Sequence, residues 1–272
     1  MDKQKKKQEM IMIEDLTLGD EYLFEIVMQN EKLCKLFIEK FLEIPDITGI
    51  NYIQTEATHK ATYMGKGVRF DIYVKGQDDV AYVVELQRND TKELEKRLRY
   101  YQSMIDTKQL GKGNNYKNLK DSYIIFICRD DFLKQGLYRY TFRNSCVEMP
   151  ELMLNDGAYK VIFNTHGTKG EVSEDVKAFL RAIEGEDSDN DFVKQFQIEA
   201  EEIKTSETWK EIYMQSLLRE QDIRDEGFEK GREVEKIEMA KKLLLSGISI
   251  EIIAETSGLT TEMIASLQDA QK

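Results

Sequence analysis

Apolar and polar positions alternate with period two from Val68 to Lys75 and again from Val80 to Gln87, and the polar turn Gly76-Gln77-Asp78-Asp79 separates the two runs. This is the pattern of a β-hairpin. Upstream, Leu23, Ile26, Val27, Leu33, Leu36, Phe37, Phe41 and Leu42 recur at helical spacing, which predicts a helix from about Asp20 to Leu42 with a break near Asn30 and an end imposed by Pro45. A strand is predicted from Ile50 to Ala57. After the hairpin, Asp90-Thr91-Lys92-Glu93 reads as a capping-box variant opening a helix whose Leu94, Leu98, Tyr101 and Ile105 face inward. A short apolar strand follows from Ser122 to Cys128, with further strand-like runs over Tyr140–Cys146 and Tyr159–Asn164. Beyond Gly167-Thr168-Lys169-Gly170 the pattern is helical: Glu171–Ile183, an acidic linker at 185–191, and a charged stretch from Phe192 to about Ala240 that Gly227 and Gly231 would loosen.

The hairpin carries the candidate chemistry. Alternation places Phe70, Ile72 and Val74 on one face, with Tyr82, Val84 and Leu86. The opposite face bears Asp71, Glu85 and Gln87. If the turn closes around Asp78, Asp71 stands across from Glu85, with side chains roughly 5 Å apart. Two facing carboxylates repel unless one is protonated or a cation lies between them, and a hard divalent ion with oxygen ligands meets that need. The plainer alternative is a solvated outer sheet face.

The stretches Gly19-Asp20-Glu21-Tyr22-Leu23-Phe24, Arg69-Phe70-Asp71-Ile72, Val84-Glu85-Leu86-Gln87, Arg97-Leu98-Arg99-Tyr100-Tyr101 and Leu119–Ile127 span nearly all of the first 170 residues. In this order they resemble the PD-(D/E)XK nucleases, and more closely the recombination-promoting Rpn nucleases, also called PD-(D/E)XK family putative transposases. Phe70 stands where the motif's name has Pro, and Gln87 where it has Lys, although Glu-x-Gln is the form associated with this particular family. The resemblance implies an α/β fold with a mixed sheet, a restriction-endonuclease-like core carrying a C-terminal all-helical extension. It implies a DNA endonuclease of the recombination or transposition type, working with Mg²⁺, for which Mn²⁺ would substitute. Asp71 and Glu85 would hold the metal, and Gln87 would orient the attacking water. Asp20, Glu21 or Glu56 would supply a further acid, with Glu56 preferred on the strand, although a solvated strand edge explains Glu56 almost as well. Arg97 and Tyr100 would contact DNA phosphates; the alternative for Arg97 is an exposed pairing with Glu93. A Lys at position 87 is expected to preserve or raise cleavage, since it adds a charge that an amide lacks.

Charge divides the chain. Residues 1–170 hold 26 acids and 26 Lys or Arg, whereas residues 171–272 hold 25 acids and 13 bases. Three segments are therefore expected: a nuclease-like domain over 1–170, an acidic helical arm over 171–240, and a helix-turn-helix-like tail over 241–272. In the tail, Ile253, Leu259, Ile264 and Leu267 form a compact core, with the turn at Gly258. Its second helix has no Lys or Arg before Lys272, which favours structural or oligomerising use over DNA binding. Apolar Ile237, Leu243, Leu244, Ile248, Ile252 and Ile253 call for a partner surface, so a homo-oligomer built through the arm is expected.

Two His residues at no metal-ligand spacing argue against a His-based site. Three scattered Cys suit a reducing compartment, and no run approaches the ~20 apolar residues of a membrane span, so a cytoplasmic protein without a membrane partner is expected. A different class of function is a catalytically silent relative that keeps the fold as an interaction or regulatory module working through its acidic arm.

Overall fold

The computed structural model describes residues 11–45, 47, 49–59, 68–88, 92–111 and 113–269, apart from the side chains of 52, 55–59, 68 and 69. These form two compact units, Met1–Ser206 and Glu207–Lys272.

In the first unit the break expected near Asn30 is a helix cap. Its side chain accepts from the backbone N–H groups of Lys32 and Leu33 and separates α1 (Glu21–Val27) from α2 (Glu31–Leu42). The strands and helices that follow are β1 (Ile50–His59), β2 (Val68–Gly76), β3 (Ala81–Gln87), α3 (Leu94–Gln109), β4 (Ser122–Cys128), β5 (Arg139–Phe142), β6 (Ala158–Asn164), α4 (Glu174–Ile183) and α5 (Asp191–Thr205). α3 has Glu93 at the cap position with no side-chain bond closing it, while Asp90 and Thr91 of the expected capping box lie outside the described residues.

The sheet has the order β1-β2-β3-β4-β6-β5. β1, β2 and β3 are antiparallel, β3, β4 and β6 run parallel, and β5 returns antiparallel on β6. Parallel neighbours cannot be joined by a tight turn, and α3 provides the crossover from β3 to β4. Its Leu98, Tyr101, Met104 and Ile105 pack with Ala81, Val83, Ile124, Phe126 and Ile162, so it covers the sheet face on which Glu85 also lies. Packing on both sides explains why β3 is buried along nearly its whole length.

A second apolar cluster is built from phenylalanines. Phe37 stacks on Phe41 at 4.0 Å, Phe41 meets Phe163 of β6 at 4.7 Å, and Phe179 of α4 meets both Phe37 and Phe41 at 5.5 Å. Phe196 of α5 packs edge-on to Phe179 at 4.9 Å. This alters the expected division of the chain. Residues 171–206 complete the core of the first unit instead of beginning an arm, because their apolar faces cover Phe37 and Phe41. Much of the acidity goes with them, since 171–206 hold 11 acids and 4 bases.

In the second unit α6 (Glu207–Leu245) runs unbroken through Gly227 and Gly231. Each costs about 1 kcal/mol against Ala in a helix, and ion pairs such as Lys230–Glu226 at 2.6 Å flank them. α7 (Ile250–Ser257) ends at Gly258, whose φ of 70° suits a residue without Cβ, and α8 (Thr261–Asp269) follows. The expected helix-turn-helix core is present: Ile253, Leu259 and Ile264 close on Ala240, with Ile237, Leu243, Leu244 and Leu267 packed around them. Four of the positions expected to need a partner, Ile237, Leu243, Leu244 and Ile253, are therefore covered within the chain itself. The exposed apolar side chains of α6 are instead Ile212, Leu218, Ile223, Phe228, Val234, Met239 and Leu245. No helix among the described residues is long and apolar enough to cross a membrane.

Candidate active site

The β2–β3 register runs from Lys75↔Ala81 to Ile72↔Val84 and closes around Asp78, as the alternation required. One step further Asp71 meets Glu85, and side chains replace the backbone ladder. Asp71 N donates to Glu85 Oε1 at 3.0 Å, and Leu86 N donates to Asp71 Oδ2 at 3.3 Å. Each carboxylate holds a backbone donor of the opposite strand. Phe70, expected on the face of Ile72 and Val74, packs instead against Tyr101 of α3 at 4.9 Å. The strict alternation of β2 thus ends at the residue that carries the first acid.

Glu85 is only 3% exposed, which rules out a solvated outer face. Burial first, and the neighbouring Asp71 second, hold its carboxyl well above the usual carboxylate range, against the opposing hydrogen bond from Asp71 N and the charge of Arg97. The Tyr101 hydroxyl is pushed up to about 12 by burial and by Glu85, so it remains a donor, and it donates to Glu85 Oε2 at 3.3 Å. Arg97 is not paired with Glu93 in the way its exposed alternative required: its guanidinium lies against Gln87, Glu85 and Tyr101.

Other expected site residues are placed differently. Asp20 uses Oδ1 on Arg88 and Oδ2 on the N–H and hydroxyl of Thr17, at 2.7 and 3.0 Å. Arg88 also donates to Gly19 O at 2.8 Å. Asp20 therefore ties the start of α1 to the end of β3, with both oxygens engaged. Gly19 has its own reason to lack a side chain, because a Cβ there would lie 2.0 Å from Ile183 O. Glu21 is exposed on α1, and Tyr100 is 37% exposed on α3. Glu56 belongs to β1, but its side chain lies outside the described residues. Tyr101 was read from the sequence only as part of an apolar stripe. Its usable signal was a hydroxyl four residues after Arg97 on the buried side of a helix, where it needs a polar partner.

The donor set suits a hard divalent ion. Asp71 and Glu85 offer oxygens only, and their mutual repulsion falls when a cation joins them. Among the described residues no three His, Cys, Asp or Glu converge as metal ligands. An ion would rest on this carboxylate pair and water, and Mg²⁺ commonly uses one or two carboxylates in that way.

A three-stranded antiparallel meander, a helical crossover to a parallel strand, and facing acids on β2 and β3 define a PD-(D/E)XK nuclease core. The family model described as PD-(D/E)XK nuclease family transposase matches residues 21–163, and the chain belongs to this family. No curated protein and no solved structure matches it. Nucleases of this class generally use divalent metal ions and act on DNA.

Proposed function

We propose that the protein is a Mg²⁺-dependent DNA endonuclease of the recombination-promoting type. The observation that carries this reading is the Asp71–Glu85 pair, two acids set against each other on adjacent strands with Gln87 beside them on β3. In the reaction, a water oxygen bonds to phosphorus, one P–O ester bond breaks, and the products are a phosphate monoester end and a hydroxyl end. Bound Mg²⁺ would lower the pKa of a coordinated water and offset charge on the phosphate. Asp71 and Glu85 would hold the ion. Gln87, whose Oε1 accepts from Arg97, would orient the attacking water by hydrogen bonding. The Tyr101 hydroxyl, which donates to Glu85 Oε2, fixes the orientation of the Glu85 carboxylate. The exposed apolar positions of α6 support self-association through this helix.

Metal and proton compete for the same carboxylate, and melting curves test this. A carboxyl with a raised folded pKa contributes stability that is complete below the ordinary value of about 4.3 and is lost as pH rises through the folded value. In EDTA the melting temperature of the first unit should fall between pH 5 and pH 8, and Glu85→Gln should flatten that slope. Mg²⁺ should raise the wild-type midpoint more at pH 8 than at pH 5 and leave Glu85→Gln unmoved. An equal Mg²⁺ effect on both proteins would place the ion elsewhere.

A further inference from the structure

The motif that names the PD-(D/E)XK superfamily has Lys two residues after its second acid, where this chain, in the Glu-x-Gln form associated with its own family, has neutral Gln87. An amide can hold a water, but it cannot oppose the negative charge that grows on a phosphate during hydrolysis. A cation reaches the same place from another element. Arg97 of α3 donates from Nη1 to Gln87 Oε1 at 2.5 Å, and from Nη2 to the Tyr101 hydroxyl at 3.0 Å and to Glu85 Oε2 at 3.5 Å. Its guanidinium lies 5.5 Å from the Tyr101 ring centre and 5.6 Å from that of Phe126.

On the basis of the nuclease reading above, we infer that Arg97 supplies the positive charge at the scissile phosphate that Gln87 lacks, with Tyr101 as the positioning residue that fixes it. A simple counter-ion for Glu85 would make its shortest contact there, yet the contact to Gln87 is shorter by 1.0 Å. The Arg97 side chain is 29% exposed while that of Glu85 is 4% exposed, so the cation extends past the buried acid to where a phosphate can arrive. The Nε–H and one Nη1–H of Arg97 donate to none of the described residues, which leaves donors for phosphate oxygens. Arg88, the residue next to Gln87, cannot take this role as placed, because it is committed to Asp20 and to Gly19 O.

Charge relocation tests the inference. Wild type, Arg97→Met, Gln87→Lys and the double variant are compared for steady-state nicking of supercoiled plasmid in Mg²⁺, with kcat and KM resolved. Mg²⁺ binding is followed by calorimetry as a separate readout. Arg97→Met should lower kcat by about 100-fold or more, the scale of losing one group that stabilises transition-state charge, with little change in KM and no weakening of Mg²⁺ binding. Adding Gln87→Lys to that variant should recover at least about tenfold, because the charge returns two residues after Glu85. In the wild-type background Gln87→Lys should lower the rate, since it sets two cations against each other at a hydrogen-bonding distance. The inference is overturned if Arg97→Met cleaves at the wild-type rate, or if the double variant binds Mg²⁺ normally yet stays as slow as Arg97→Met. Should Arg97→Met not melt cooperatively, Arg97→Gln, which keeps a donor for Gln87, takes its place with the same expectations. A wild type that shows no Mg²⁺-dependent nicking ends the nuclease reading itself, and the inference with it.

Discussion

Replacing Asp71 by Asn is expected to reduce Mg²⁺-dependent plasmid nicking by on the order of 10³-fold or more while leaving a protein that still melts cooperatively. The loss is large because a metal ligand carries with it several kcal/mol of charge stabilisation, and each 1.36 kcal/mol corresponds to about tenfold in rate. Asn is the informative substitution. Asp71 Oδ2 accepts the Leu86 N–H at 3.3 Å, and an amide oxygen can still accept it. Ala would leave that donor without its partner, at about 1–3 kcal/mol. Without metal, Asp71→Asn also removes the charge that pushes the Glu85 carboxyl upward. Its melting temperature at pH 8 in EDTA should therefore equal or exceed that of wild type. Equal nicking by both proteins would assign the activity to a contaminant, and a collapsed melt would assign Asp71 to the fold.

Ending the chain after Gly170 is expected to prevent folding, whereas ending it after Ser206 is not. The shorter fragment lacks Phe179, Phe192 and Phe196 and exposes Phe37 and Phe41, whose rings each pack at 5.5 Å against Phe179. Truncating one buried Phe costs about 3–5 kcal/mol. Removing three is comparable with the ~5–15 kcal/mol of a whole domain. The 1–206 fragment keeps this cluster and should melt in a single transition. If α6 builds an oligomer, the same fragment should also show a lower mass by light scattering than the full chain. A soluble 1–170 fragment with a cooperative melt would contradict the packing account.

The fold was legible wherever local periodicity and tertiary packing agree. The hairpin register, the break at Asn30, the strand Ser122–Cys128 and the tail helices all follow from residues close in sequence. The boundary at 170 misled because charge marks what faces water, not what is buried. The stretch 171–206 is acidic on its outside, yet Phe179 and Phe196 on its inside belong to the first core. The geometry of the candidate site was legible in part, for Asp71, Glu85 and Gln87 stand on neighbouring strands with a register fixed by a short turn. Arg97 was legible as a candidate phosphate contact, but its approach to Glu85 and Gln87, and the part played by Tyr101, were not, because both depend on how α3 crosses the sheet, which no local pattern encodes. If Arg97, beside Gln87, supplies the charge as inferred, Lys at position 87 lowers cleavage, against the sequence-based expectation that it preserves or raises it.

The most direct measurement is anomalous scattering from a crystal of the full chain grown or soaked with Mn²⁺. A single ion should bind between β2 and β3 with oxygens of Asp71 and Glu85 at about 2.1–2.2 Å, and it should be absent from Asp71→Asn crystals prepared in the same way. Crystals of wild type that bind Mn²⁺ only elsewhere, or that leave the Asp71–Glu85 pair metal-free at saturating Mn²⁺, would contradict a metal-dependent nuclease at this site.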